Sequence, residues 1–113
     1  MRTLNDYFIT GVIPNVSAAS STFVAIPDGG RIIKIITHNA VVTSGTSAIS
    51  FEIGGVAIAG SAISHTASGS ANRTITVAPT GANRVEEDGA VELITNGGST
   101  NTSAMAVTLI IRR

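Results

Sequence analysis

Apolar residues in this chain recur at every second position, and nowhere do they hold a helical spacing for ten residues. The cleanest case is Ile49-Ser50-Phe51-Glu52-Ile53, with three apolar side chains on one face and two polar ones on the other. Gly54-Gly55 follows, then Val56-Ala57-Ile58. Two glycines supply the positive φ values of a two-residue turn, so this stretch predicts a β-hairpin. The same alternation marks Thr22–Ile26, Arg73–Val77, Ala90–Thr95 and Ser103–Arg112. It puts Met105, Val107, Leu109 and Ile111 inward in the last strand, and gives Val91 and Leu93 a shared face. Arg31–Thr37 is apolar on both faces, as in a strand buried in a sandwich or at a subunit contact, and Ala40–Thr43 continues it past a bend at His38-Asn39. Pro27-Asp28-Gly29-Gly30 and Pro79-Thr80-Gly81 read as turns, residues 60–71 as a loop or weak edge strand, and residues 96–101 as a loop. About eight strands at spacings near ten residues predict an all-β protein: an antiparallel β-sandwich or jelly roll with an N-terminal arm.

The 113 residues suffice for one domain. Residues 1–21 are expected to form an arm and linker, and residues 22–113 the sandwich. Tyr7–Ile13 has strand character, Pro14-Asn15 stops it, and Val16–Ser21 is a run of small residues. Two readings stay open: a first strand that pairs within its own sheet, or an extension that pairs with a neighbouring subunit. The second expects that removing residues 1–13 leaves a folded domain.

The chain has no cysteine and no tryptophan, and formal net charge is zero. Disulfides, thiolate metal sites and thiol chemistry are therefore excluded. Basic residues look scattered apart from Arg112-Arg113, which argues against nucleic acid as a partner. The acidic run Glu86-Glu87-Asp88 reads as a solvated turn. No apolar stretch has the length of a membrane-spanning helix, so no membrane partner is expected. The N-terminal residues lack the apolar core of a secretory signal, so synthesis in a cytoplasm is expected and the Asn15, Asn72 and Asn101 sequons carry no glycosylation meaning. Ala, Gly, Ser and Thr make up nearly half the chain, and small side chains bury little area each. Contacts between subunits are expected to supply some of the missing burial.

Catalytic chemistry finds little to stand on. His38 and His65 stand alone near turn residues and read as surface or loop histidines, not as a converging metal site. Ser64 and His65 are adjacent, which on a strand points them to opposite faces. Glu52, Glu92 and Asp28 could pair as carboxylates for glycoside cleavage, yet no tryptophan is present to stack a sugar. Glycines lack phosphate-binding spacing, and there is no Gly-x-Ser-x-Gly elbow. No enzyme activity, cofactor or metal is expected.

The order Val24-Ala25-Ile26-Pro27-Asp28-Gly29-Gly30-Arg31-Ile32-Ile33-Lys34-Ile35, then Phe51–Ile58 around its glycine pair, then Arg84-Val85-Glu86-Glu87-Asp88-Gly89-Ala90-Val91-Glu92-Leu93, then Ala104–Ile111 resembles the small jelly-roll capsid decoration (cement) proteins of tailed bacteriophages. The resemblance covers residues 22–111 and rests on element order and turn chemistry. It implies a protein without an active site that sits on the outer surface of the virion capsid. There it bridges neighbouring major capsid protein subunits and holds the expanded shell. Symmetric homodimer and homotrimer are both open. Contacts with the capsid or between subunits are expected on the arm, at Leu4, Tyr7, Phe8, Ile9 and Ile13, since aromatic anchors dominate interfaces. The alternative is a host-surface-binding, adhesin-like module of a virion fibre or spike. A tail or small capsid subunit that polymerises alone comes third, and a cupin-type enzyme last.

Overall fold

Gly54 and Gly55 sit at the tip of one long hairpin that has been rolled up. Both have positive φ, at 58° and 81°, as the two-residue turn requires. In the computed structural model, which describes residues 5–40, 45–65 and 74–113, the chain forms ten strands among the described residues. They are β1 (Asp6–Ile13), β2 (Ser20–Ile26), β3 (Gly30–Asn39), β4 (Ser47–Ile53), β5 (Val56–Ala57), β6 (Ile63–His65), β7 (Thr74–Val77), β8 (Arg84–Val85), β9 (Gly89–Thr95) and β10 (Met105–Arg112). Pairing is antiparallel throughout and nested: β1 with β10, β2 with β9, β3 with β7 and β8, β4 with β5 and β6. Folding that hairpin over itself gives two five-stranded sheets. Sheet A runs β1-β10-β3-β7 with β8 also on β3, and sheet B runs β2-β9-β4-β5 with β6 also on β4. The fold is a jelly roll, the architecture the alternation predicts.

The inward faces are those the sequence assigns. Met105, Val107, Leu109 and Ile111 are buried on β10, Val91 and Leu93 on β9, Ile49 and Phe51 on β4. They meet Ile26, Ile32 and Ile35 in one core between the sheets. The hairpin predicted around Gly54-Gly55 is present, with β5 as its short second strand, and β8, two residues long, is the element the alternation does not mark. On β3 the register with β10 shifts between Ile110 and Ile111, so one extra residue, Ile33, bulges. The bulge explains why Arg31–Thr37 looked apolar on both faces. Ile32 and Ile35 point inward while Ile33 and Ile36 are half-exposed. Residues 41–43, expected to prolong this strand, lie outside the described residues. At the β2–β3 turn Gly29 has φ of 64°, and a Cβ there would lie 2.8 Å from the Glu87 backbone nitrogen. Glycine lets this turn pack against the β8–β9 connection.

The N-terminal segment is corrected by the structure. Residues 6–13 are β1, paired with β10 along its full length from Asp6 opposite Arg112 to Ile13 opposite Met105. Ile13 and Val16 are fully buried. The stretch read as a linker is the crossover to sheet B: Asn15 Oδ1 accepts from the Ser17 backbone and hydroxyl at 2.9 and 2.7 Å, and the Val16 N–H donates to the Ser103 carbonyl. The division at residue 21 therefore cuts through a sheet. Of the two readings left open, pairing within its own sheet is the one observed.

Candidate docking surface

Register decides what sheet A shows to solvent. Four rows of side chains cross its outward face. The first is Asp6, Arg112, Arg31, Arg84; the second Phe8, Ile110, Lys34; the third Thr10, Thr108, Ile36, Thr76; the fourth Val12, Ala106, His38, Thr74. Apolar side chains thus occupy the middle of an open sheet. Phe8 is 59% exposed and Val12 54%. A groove of about 460 Å³ runs between Phe8, Ile33, Ile36 and Ile110, with Lys34 and Arg112 on its rim. Fully burying one such side chain contributes about 1.5–3 kcal/mol, so an apolar patch left in water on a small protein marks a contact surface.

The first row carries the charge. Arg112 forms a two-pronged ion pair with Asp6, Nε to Oδ1 at 2.8 Å and Nη2 to Oδ2 at 2.9 Å, and this contact raises the Arg112 pKa. Arg31, Arg84, Arg112 and Arg113 line a second groove of about 310 Å³ at the same end. Basic residues that look scattered in sequence are gathered by register: five of the chain's seven lie on or beside this face. Sheet B shows the opposite sign. Glu92 and Glu52 oppose each other across β9 and β4, next to Phe23, which is 60% exposed. Glu86, Glu87 and Asp88 are exposed in the turn before β9. Zero net charge therefore conceals two faces of unlike charge.

The residues expected to make contacts divide by strand parity. Leu4 lies outside the described residues. Phe8 faces out; Tyr7 and Ile9 face in and are half-buried against the core, and Ile13 is fully buried in it. The Tyr7 hydroxyl donates to the Gly29 carbonyl at 2.8 Å, and the Arg113 guanidinium lies 5.5 Å from its ring centre while pairing with Asp28. Burial, then the charge of Asp28, raises the Tyr7 pKa above 10.0. Val12, Ile33, Ile36 and Ile110 complete the outer patch and were missed. Only the pairing register, which the sequence does not display, reveals them.

His65 corrects a second expectation. Its ring is fully buried, reaching from β6 to β3, where Nε2 lies 2.9 Å from Thr37 Oγ1. The Thr37 hydroxyl donates onward to the Ile75 carbonyl at 3.3 Å, so Nε2–H is the donor to it. His38 is exposed, and Ser64 and His65 do point to opposite faces. Of the three carboxylates weighed for glycoside cleavage, Glu52 and Glu92 come together and Asp28 stands apart with Arg113. Among the described residues no three His, Cys, Asp or Glu side chains converge, and no helix is long and apolar enough to cross a membrane.

No protein-family model and no curated protein matches the sequence. Solved structures do match the fold over nearly the whole chain. A chain in the acid-stable capsid structure of Helicobacter pylori bacteriophage KHP30 superposes with a TM-score of 0.67 at 11% identity, covering 96% of this chain and 87% of that one. A chain in the capsid asymmetric unit of cyanophage Pam1 gives 0.65 at 12% identity, with 96% and 84% covered. A carbohydrate-binding module, CsCBM6-3 from Clostridium stercorarium, solved with cellobiose, gives 0.52 at 15% identity, with 98% and 83% covered. These likenesses establish the jelly roll.

Proposed function

We propose that the protein is a non-catalytic capsid decoration protein that seats the outward face of sheet A on an acidic, apolar surface of a phage shell. The observation that carries this reading is that face itself. Phe8, Ile33, Ile36 and Ile110 form an apolar groove edged by Lys34 and Arg112. A partner must therefore offer apolar side chains ringed by carboxylates. The two phage capsids support it, because their matched chains are close to this one in size. Each contact is small, and a repeating shell multiplies it.

The test is co-sedimentation with expanded, undecorated shells, with electron microscopy to find the seat. Wild-type protein is expected to saturate the shells, and a Phe8→Ser, Ile36→Ser double variant to bind at least about tenfold more weakly, the equivalent of about 1.4 kcal/mol, while melting as the wild type does. Shells that stay bare with wild-type protein, or that bind the variant equally well, refute the proposal.

A second reading, a host-surface-binding module of a virion, has its own observation. Phe23 beside Glu52 and Glu92 forms a shallow depression of about 300 Å³ on sheet B, a stacking ring with hydroxyl acceptors, in a fold shared with a sugar-binding module. A glycan array that lights up with wild type and goes dark with Phe23→Ala favours it. A blank array leaves decoration as the reading.

A further inference from the structure

One side of the sandwich is closed by short strands and the other is open. β5, β6, β7 and β8, of two to four residues each, finish the sheets on the closed side. On the other, the eight residues of β1 pair only with β10, and the seven of β2 only with β9, among the described residues. Natural sheets guard exposed edges with shortness, lysine, proline or bulges. The closed side uses shortness. β1 has no such guard: its pairing with β10 carries no bulge, its one charged residue, Asp6, is engaged by Arg112, and Pro14 falls beyond its end. Its outward face carries Phe8 and Val12, two of the four large exposed apolar residues among those described, with the exposed Thr10 midway between them.

We propose that β1 pairs antiparallel with β1 of a second copy about a two-fold axis at Thr10, joining two copies of sheet A into one continuous sheet. The strand's own sequence selects this occupant. Antiparallel partners on the same face must keep the side-chain parity of both strands. An axis at Thr10 meets that condition, setting Thr10 against its own copy and Phe8 of each chain against Val12 of the other. Both exposed apolar residues then gain an apolar cross-strand neighbour, twice over, from a single self-complementary strand. No like charges meet, because Asp6 falls opposite Pro14. A shift of two residues in either direction loses the Phe8–Val12 match.

The pairing extends the outward groove across two copies facing the same way, so that a repeating shell is gripped at two points. It deepens the decoration reading, but its test needs no shells, so either can fail while the other stands. The chain has no cysteine, which makes the register directly readable. Thr10→Cys alone is expected to oxidise almost completely to a covalent dimer. Val12→Cys alone is expected to stay uncross-linked, while Phe8→Cys mixed with Val12→Cys yields the mixed dimer. Wild-type protein should sediment at twice the monomer mass. A wild type that is monomeric at every concentration overturns the proposal. So does a folded Thr10→Cys protein that fails to cross-link.

Discussion

Replacing Gly11 with alanine tests whether β1 belongs to the core. Gly11 lies on the inward face of β1, between Ile9 and Ile13. A Cβ built there would fall 2.5 Å from Cγ2 of Val24 and 3.6 Å from Cδ2 of Leu93, both on sheet B. Val24 is 7% exposed and β-branched, so its methyl has little freedom to swing away. Forcing a methyl group into such a site costs about 1–3 kcal/mol. Replacing a glycine in a strand returns about 0.5–1 kcal/mol of that. The net loss is about 0–2.5 kcal/mol. At about 4 °C per kcal/mol for a domain of this size, the melting temperature falls by up to about 10 °C.

Circular-dichroism melts of four proteins complete the test: wild type, Gly11→Ala, Val24→Ala and the double variant. Val24→Ala alone loses about 1.6 kcal/mol of transfer free energy plus a cavity term. In the double variant the new methyl at position 11 enters the space that Val24 vacates. The two changes should therefore couple favourably by about 0.5–3 kcal/mol. A Gly11→Ala protein that melts above the wild-type temperature refutes the seating of β1 on β2. Strict additivity in the double variant refutes it too.

Deleting residues 1–13 removes the fully buried Ile13 with Tyr7 and Ile9, several kcal/mol out of a typical 5–15, and bares the edge of β10. The truncated chain is expected to lose its cooperative melt; a transition near the wild-type temperature would return the segment to the status of an arm. Tyr7→Phe should cost about 0.5–1.5 kcal/mol near neutral pH through the lost bond to Gly29. Because the folded state raises the Tyr7 pKa above 10.0, wild-type stability owed to the neutral phenol is complete below that pH and drains away as pH rises through the folded value. The gap between wild type and Tyr7→Phe should therefore close in alkaline melts, and a gap constant to high pH would contradict the assignment. Thr37→Val takes the hydroxyl from the buried His65 ring and should destabilise by about 1–3 kcal/mol in urea titrations. An unchanged midpoint would show that the bond contributes nothing.

Period-two alternation made most of the jelly roll legible, because a strand with one buried face must alternate. It located β4 with its Gly54-Gly55 turn, β9 and β10, down to the inward residues. It failed where alternation carries no contrast. β8 is too short to alternate, and the buried His65 reads as a loop residue because Ile63–His65 is only three residues long. The basic face was illegible for another reason. Arg112, Arg31 and Arg84 come from three strands far apart in sequence, and only register lines them up.

β1 leaves two readings open in the sequence for a related reason. Its inward residues are Tyr7, Ile9, Gly11 and Ile13, and its outward ones include Phe8 and Val12. A glycine on the buried face and bulky apolar residues on the exposed one invert the usual contrast, so the strand resembled an extension seeking a partner. The inward face finds its partner in the chain's own core, where Gly11 gives way to Val24. On the outward face Asp6 pairs with Arg112, while Phe8 and Val12 stay exposed. An edge strand sealed by a single face of its own sheet has no stability reason to keep Phe8 and Val12 in water. Under the proposed β1–β1 pairing, those two residues would be covered by a second copy of the chain.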